Sequence, residues 1–398
     1  MQQLYTVFYK QLSRVDTGFK RYLYDEIRWQ NRLIAIVGSR GTGKTTLLLQ
    51  HIKLNYTNTE QKVLYASLDN LWFSVHTLTY LADEFVKQGG KVLYLDEVHN
   101  YTGWSREIKN IYDSYPELKI VFTGSSLLEV YKGEADLSRR VIMYHLYGLS
   151  FREFIEYEYG EKFTTLSFEH ILSNHTALSQ TINSRIKPLV AFGEYLRYGY
   201  FPYYKEDKEL YHLRLLSTLN TIIEQDLPSI ERIDYYSVVK IKRLFAVLAS
   251  LVPYTPNVSQ LSNDIGITRI SLLNYLYYLS KAEAVLLLTK VTTGIKQLTK
   301  PDKVYIGNPN YAYALAGTDT NIGSVRESFF MNQVRVRSDI QFGNEVDFLV
   351  SEKYRIEIGG KNKTKKQVSG LNNAYTVLDN IEFGYGNQIP LWLFGFTY

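Results

Sequence analysis

The sequence predicts an α/β protein: a doubly wound parallel sheet comes first, then a helical segment, a winged helix and a second α/β domain. Three observations predict the leading sheet. Five short apolar segments, Leu33–Val37, Val63–Ser67, Val92–Asp96, Ile120–Thr123 and Val141–Leu146, alternate with helical stretches. Short apolar runs of this kind read as parallel strands buried on both faces. A glycine-rich octapeptide, Gly38-Ser39-Arg40-Gly41-Thr42-Gly43-Lys44-Thr45, joins the first strand to the helical run Lys44–Leu54, and an acidic pair, Asp96-Glu97, closes the third strand. In a sheet of this class, ligands sit at the C-terminal ends of the strands.

The octapeptide fits G-x-x-x-x-G-K-[ST] in the strand–loop–helix context the motif requires. Its glycines let backbone N–H groups face a phosphate, and the helix N-terminus adds a favourable dipole. Residues Gly38 through Thr45, with Thr46, are therefore the expected contacts of a nucleotide, ATP or GTP. Lys44 would reach the β- and γ-phosphates, and Thr45 and Asp96 would hold a magnesium ion. Glu97 is placed to orient and polarise the attacking water, which points to hydrolysis. An Asp-Glu pair also caps helices; its position behind an apolar strand and downstream of a complete phosphate loop favours the catalytic reading. The fourth strand should lie between the loop strand and the acidic strand. Its end, Thr123-Gly124-Ser125-Ser126, offers Thr123 and Ser125 as hydroxyls for the γ-phosphate or the water, or as caps of the next helix. Arg139 and Arg140 are candidates to stabilise charge on the transferred phosphoryl group, with solvated surface arginines as the alternative.

The bulk composition narrows the function classes. A chain of 398 residues is too long for one core. The balance of 45 basic against 40 acidic residues, net +5, is too mild to argue for nucleic acid by itself. The cysteine count of 0 excludes disulfides, thiolate metal sites and a cysteine nucleophile. The 7 histidines show no zinc-binding spacing. No apolar run approaches the ~20 residues of a membrane span, and the N-terminus lacks a signal-peptide plan, so the expected location is the cytoplasm, away from membrane.

The ordered motifs resemble those of prokaryotic AAA-type P-loop ATPases that carry a C-terminal restriction-endonuclease-like domain of unknown function. The marks are Gly38–Thr45, Leu95-Asp96-Glu97-Val98, Thr123-Gly124-Ser125-Ser126, Leu137-Ser138-Arg139-Arg140, Leu149-Ser150-Phe151-Arg152-Glu153-Phe154, Tyr198-Gly199-Tyr200-Phe201-Pro202 and Asn344-Glu345-Val346-Asp347-Phe348. The resemblance covers nearly the whole chain. It implies ATP over GTP and Arg140 over Arg139 as the nucleotide-sensing arginine, although the family usually has Gly-Arg where this chain has Arg139-Arg140. A homo-oligomer is a further expectation, set apart from the resemblance. The expected division is an ATPase domain over 1–150, a helical lid over 151–235, a winged helix over 236–295 and the endonuclease-like domain over 296–398.

Residues 151–235 carry helical periodicity with breaks at Gly193, Gly199 and Pro202, and Asp226-Leu227-Pro228 ends a helix. Beyond them, Ile241–Leu251, Ser259–Ile265 and a helix capped by Thr268 read as a helix–turn–helix, with Val285–Lys290 as the wing strand. In the last helix Ile270, Leu273, Leu276 and Tyr277 share one face, and Ser271, Asn274, Tyr275 and Tyr278 the other. That second face offers no cation, which disfavours duplex reading. Near the C-terminus, Glu345–Val350 and Tyr354–Ile358 read as a hairpin. It places the carboxylates Asp347 and Glu357 on neighbouring strands, an arrangement that can bind magnesium for phosphodiester cleavage. Active enzymes of the resembled fold carry a lysine two residues after the second carboxylate; here Gly359 stands there and Lys361 follows. The resemblance also reads Gln367 as helical. The basic cluster Lys361, Lys363, Lys365 and Lys366 is a candidate for a phosphate backbone or a solvated helix start.

These readings converge on a nucleotide-driven switch that hydrolyses ATP with magnesium and signals to a protein partner. The alternatives are an ATP-dependent DNA-processing or defence protein with a nuclease-like C-terminal domain, and a nucleotide-bound scaffold without turnover.

Overall fold

The computed structural model describes residues 1–56, 62–124, 137, 139–228, 233–251, 257–290, 300–363 and 367–398. The chain forms two compact units, Met1–Gly148 and Leu149–Tyr398.

In the first unit, helices α1 (Gln2–Arg14) and α2 (Leu23–Glu26) precede strand β1 (Leu33–Val37) and helix α3 (Lys44–Asn55). Strand β2 (Val63–Ser67), helix α4 (Leu78–Lys87), strand β3 (Val92–Asp96), helix α5 (Trp104–Ser114), strand β4 (Lys119–Gly124) and strand β5 (Ile142–His145) follow. The sheet order is β2-β3-β4-β1-β5 and every pairing is parallel. The expected strands form within a residue or two of their expected ends, and β4 lies between β3 and β1. Strands β1 and β3 are buried along their whole length, as a sheet covered on both faces demands. The helices bury matching stripes: Leu4 and Phe8 on α1, Leu78, Leu81, Ala82 and Phe85 on α4, Trp104, Ile108 and Ile111 on α5.

The second unit opens with four helices, α6 (Phe151–Tyr159), α7 (Phe168–Asn183), α8 (Pro188–Tyr198) and α9 (Tyr211–Thr221). The Ser150–Glu153 segment is a capping box: the Ser150 hydroxyl accepts the Glu153 N–H, and the Glu153 carboxylate accepts the Ser150 N–H. Gly193 does not break its helix; it lies inside α8, where a Cβ would meet nothing within 4 Å. One glycine on an open face lowers helix propensity by only about 1 kcal/mol, and the buried Ala191, Phe192 and Tyr195 around it outweigh that. These helices belong to the same compact unit as the C-terminal residues. The Ser150 hydroxyl donates to the Tyr398 carbonyl at 2.8 Å, and the Leu166 N–H to the Phe396 carbonyl at 2.8 Å.

Helices α10 (Tyr235–Leu251), α11 (Val258–Ile265) and α12 (Arg269–Lys281) lead into strand β6 (Val285–Leu288), which pairs antiparallel with β7 (Lys303–Ile306). Thr268 caps α12 by accepting the Ser271 N–H. The buried face of α12 is Leu272, Tyr275, Leu276 and Leu279, not the face expected from Ile270 and Leu273. Apolar residues occur on most of the circumference of this helix, so periodicity alone leaves its rotation open. The cap fixes Arg269 as the first helical residue and leaves Ile270 73 % exposed in the first turn. An exposed cation, Arg269, therefore stands where none was expected.

Helices α13 (Pro309–Ala316) and α14 (Ile322–Val334) precede strands β8 (Ile340–Phe342), β9 (Phe348–Val350), β10 (Tyr354–Gly359), β11 (Ala374–Leu378) and β12 (Gln388–Pro390). Their order is β12-β11-β10-β9-β8, antiparallel from β8 to β10 and parallel from β10 to β12. The expected hairpin of Asp347 and Glu357 is β9–β10. In the β10–β11 crossover residues 361–362 and 368–370 form turns, and Gln367 is in a 3-10 helical conformation.

Candidate functional site

The phosphate loop is set by one close approach and by the helix that follows it. A Cβ at Gly38 would lie 2.2 Å from the Leu146 carbonyl oxygen, so only glycine lets the chain leave β1 beside the end of β5. Gly43, at φ 94°, turns the chain into α3. The first N–H groups of α3 have no acceptor within their own helix, which makes this terminus a phosphate-binding position. Ser39 and Thr42 are buried; the Thr42 hydroxyl donates to the Ser39 carbonyl at 3.0 Å and braces the loop, and Thr46 is exposed on α3. The buried Lys44 ammonium lies along the loop, 2.8 Å from both the Gly38 and the Ser39 carbonyl oxygens.

The Thr45 hydroxyl donates to Asp96 Oδ2 at 2.6 Å. The two residues expected to hold magnesium, 51 positions apart in the chain, are thus in contact. Asp96 also accepts from the Tyr65 hydroxyl at 2.7 Å and from the Thr123 hydroxyl. Burial, and then the charge of Glu97, push the Asp96 carboxyl above the usual carboxylate range; the hydrogen bonds from Thr123, Thr45 and Tyr65 pull it back in part. Thr123 connects this carboxylate to its neighbour, because its oxygen also accepts the Glu97 N–H at 3.1 Å. Glu97 has φ 54°, a left-handed conformation that costs a non-glycine residue on the order of 1 kcal/mol. Its side chain caps no helix and lies 3.5 Å from the His99 imidazole. The helix-capping reading of Asp96-Glu97 is therefore not what the geometry shows. Ser125 lies outside the described residues.

Oxygen donors of this kind suit magnesium, which takes one or two protein ligands and completes its shell with water and phosphate. Among the described residues no group of three or more His, Cys, Asp or Glu side chains is arranged to hold a metal ion.

Comparison with known proteins shows the following similarities. Residues 30–155 match the family model of an AAA domain. The first unit is thus similar to AAA domains over most of its length. Residues 190–321 match a domain of unknown function (DUF8612). An uncharacterized protein of Methanocaldococcus jannaschii, MJ1637, is 28% identical over 314 residues, which is 74% of this chain and 66% of that protein, so the match spans just under two thirds of the relative's length. Among solved structures, the Walker-type ATPase PABY2304 of Pyrococcus abyssi matches 75% of this chain and 95% of its own at 13% identity with a TM-score of 0.43. AMPPCP-bound DnaA from Aquifex aeolicus matches 70% and 87% at 16% identity with a TM-score of 0.25.

In the first unit Arg140 is not brought to the phosphate loop. The β1–β5 register pairs Ile34 with Ile142 and Val37 with His145, so Arg140 precedes β5 at the far end of the sheet. Five residues of strand separate that level from the end of β1, about 17 Å. The Arg140 Nε donates to Asp113 Oδ1 at 3.0 Å and its Nη2 to Asp113 Oδ2 at 3.1 Å. Arg139 is exposed at φ 74°. Two other residues of the domain went unread in the sequence. Buried Arg21 donates to the Thr42, Tyr147 and Gly148 carbonyls, tying the loop to the segment after β5. Tyr65 lies in the buried stretch Val63–Ala66 of β2, and only the β2–β3 pairing reveals that its hydroxyl meets Asp96. A polar-tipped residue at a strand position two before its end is the one signal the sequence offered.

The carboxylates of the second unit are differently placed. The Asp347 Oδ1 accepts from the Lys303 ammonium at 3.0 Å, and its Oδ2 accepts the Ile358 N–H at 2.9 Å. Lys303 also lies 3.3 Å from Glu327 on α14, which accepts the Tyr305 hydroxyl at 3.0 Å. Glu357 Oε1 is 2.6 Å from the Lys363 ammonium. Lys363, not Lys361, is therefore the lysine of this carboxylate. A Cβ at Gly359 would stand 2.5 Å from the Lys363 Cβ, so the glycine makes room for that lysine to fold back over β10. Lys361 is exposed, and Lys365 and Lys366 lie outside the described residues. Burial and then Asp347 push the Glu327 carboxyl up; burial pushes Glu357 up as well, against the pull of Lys363. Burial pulls the Lys303 ammonium down, but Glu327 and Asp347 outweigh it and hold the ammonium above its usual range.

Proposed function

We propose that the first unit binds ATP with magnesium and hydrolyses it, and that the protein is a nucleotide-driven switch that signals to a protein partner. The observation that carries this reading is the 2.6 Å contact of Thr45 with Asp96 beneath a complete phosphate loop, with Glu97 next in the chain. In this reading the N–H groups of the loop and of the start of α3 bind the phosphates, and Lys44 moves from its own carbonyls to the β- and γ-phosphates. Thr45 and Asp96 would hold the magnesium, which supplies positive charge to the phosphate oxygens. Thr123 orients both acidic residues: it donates to Asp96 and fixes the Glu97 backbone. Glu97 holds the attacking water and accepts its proton, and His99 3.5 Å away steadies that carboxylate.

The switch rather than the DNA-processing reading rests on the second unit. We read α10–α12 with β6–β7 as a winged helix and β8–β12 with α14 as a restriction-endonuclease-like sheet. The carboxylates that would cleave a phosphodiester are each bonded to a lysine, which argues for a domain retained for its fold. The described residues contain no helix long and apolar enough to cross a membrane. Hydrolysis of ATP, followed with and without single-stranded and duplex DNA, tests the reading. A slow rate indifferent to DNA supports it; several-fold stimulation by DNA replaces it with the DNA-processing reading.

A further inference from the structure

A cavity of about 360 Å³ in the second unit is lined by Arg326, Gly360, Lys361, Asn362, Lys363 and Asn380. Its volume lies within the range of small-ligand sites, and among the described residues its wall carries cationic and amide side chains and no aromatic or branched aliphatic one. Three cationic and two amide residues line one space. Among the described residues no aromatic ring lines the space, and the oxygens of a phosphate ester would have guanidinium, ammonium and amide donors around them.

The wall is held in place by identifiable contacts. The Arg326 Nε donates to Asp379 Oδ2 at 2.7 Å, which fixes the plane of the guanidinium. Its other edge faces the strand end: a Cβ at Gly360 would lie 3.1 Å from Nη1 and 3.3 Å from Nη2. Any side chain at 360 would crowd that edge, and glycine leaves it open to the cavity. Lys363 is anchored by Glu357 at 2.6 Å, and its N–H donates to the Gly360 carbonyl at 2.9 Å, closing the turn that carries Lys361 and Asn362. Asn380, at φ 63°, is held by its N–H to Asp379 Oδ1 at 2.7 Å, on the same carboxylate that orients Arg326. The ion pairs with Asp379 and Glu357 offset two of the three positive charges, and exposed Lys361 supplies the excess.

We propose that this cavity is a binding site for a phosphate ester, engaged through its phosphate oxygens. Arg326 presents its Nη edge, Lys361 and Lys363 supply ammonium groups, and Asn362 and Asn380 supply amides. The site is independent of the phosphate loop of the first unit and needs no hydrolysis. Two sources carry this chemistry, a nucleic-acid backbone and a small phosphorylated metabolite.

The test uses the full chain with Lys44→Ala, so that the phosphate loop does not answer for the cavity. Pyrophosphate is titrated while hydrogen exchange is followed over residues 355–363. Protection that saturates, with affinity reduced at least about tenfold by Lys361→Glu, is expected. Arg326→Gln should do the same, and Lys361→Glu covers the case in which loss of the Asp379 pair unfolds the sheet, because Lys361 is exposed. A labelled single-stranded oligonucleotide forms the second arm. Salt-sensitive binding that is lost in Lys361→Glu and is equal for different base compositions identifies a nucleic-acid backbone. Protection by pyrophosphate without oligonucleotide binding favours a small phosphorylated ligand over a nucleic-acid backbone. No protection by pyrophosphate together with no oligonucleotide binding, or binding untouched by Lys361→Glu, overturns the proposal.

Discussion

Asp96 in the first unit and Asp347 in the second are both carboxylates at strand ends beside a second acidic residue, yet their surroundings differ in one respect. Asp96 is met by three neutral hydroxyls, from Thr45, Tyr65 and Thr123. Asp347 is met by an ammonium, Lys303, which it shares with Glu327, and Glu357 beside it is met by Lys363. Hydroxyl donors orient a carboxylate without cancelling its charge, so the position can still attract a divalent cation. An ammonium cancels the charge, and a cation would have to displace it. The lesson is that a pair of acidic residues at a sheet edge becomes a metal site or a structural ion pair according to what donates to it.

The largest expected effect comes from removing the group that meets the phosphates. Lys44→Ala should lower ATP hydrolysis by on the order of 100-fold or more and weaken nucleotide binding, measured by steady-state turnover and calorimetry. The comparison breaks if turnover persists, because the loop would then be a structural turn. Next is Lys303→Met in the second unit. It leaves Glu327 and Asp347 without their cation in a mostly buried place, and should destabilise that unit by about 3 kcal/mol at neutral pH. The carboxyl of Glu327 is already held high, so the loss should shrink as pH falls and the acids take up protons; denaturant melts at several pH values check this. An unchanged melting profile would show that the pair is not what holds the cluster.

A smaller effect belongs to the core of the first unit. His51 is buried, stacked on Trp29 with ring centroids 3.7 Å apart, and its Nδ1 lies 2.7 Å from the Tyr94 hydroxyl. Burial, with Lys119 adding to it, pulls its imidazolium down to about 4. The folded state therefore holds this histidine neutral where the unfolded chain binds a proton. The contribution is intact above the unfolded value near 6.5 and is lost as pH falls from there towards 4, on the order of 3 kcal/mol in all. His51→Phe should flatten that acid limb. The smallest effect is expected of Arg140→Ala, under about twofold in turnover, because Asp113 rather than nucleotide faces the arginine within the chain. A large fall would sharpen the picture, by showing that Arg140 acts across a subunit boundary.

Much of the first unit was legible in the chain because its signals are local. An apolar run of five residues followed by Gly38–Thr45 specifies strand, loop and helix in one stretch, and Asp96-Glu97 marks its own strand end. What stayed hidden depends on pairing. Tyr65 meets Asp96 only through the β2–β3 register, and Arg21 reaches the loop from a segment with no motif. Arg140 lies next to a strand of the sheet, but at the end that strand order and direction put away from the loop. In the second unit the same cause is stronger. Lys303 and Glu327 belong to β7 and α14, far in sequence from Asp347, and nothing local marks them. Gly359 reads as a missing lysine in the sequence, whereas in the fold it is the space that Lys363 occupies. The rotation of α12 was misread because apolar residues surround that helix, and the Thr268 cap settles its phase.

The most direct measurement is magnesium-dependent ATP turnover by the wild-type chain beside Glu97→Gln and Asp347→Asn. Turnover lost by on the order of 100-fold in Glu97→Gln, with nucleotide still bound, and kept in Asp347→Asn is the predicted result. Turnover unchanged in Glu97→Gln, or lost equally in Asp347→Asn, would contradict the assignment of hydrolysis to the first site.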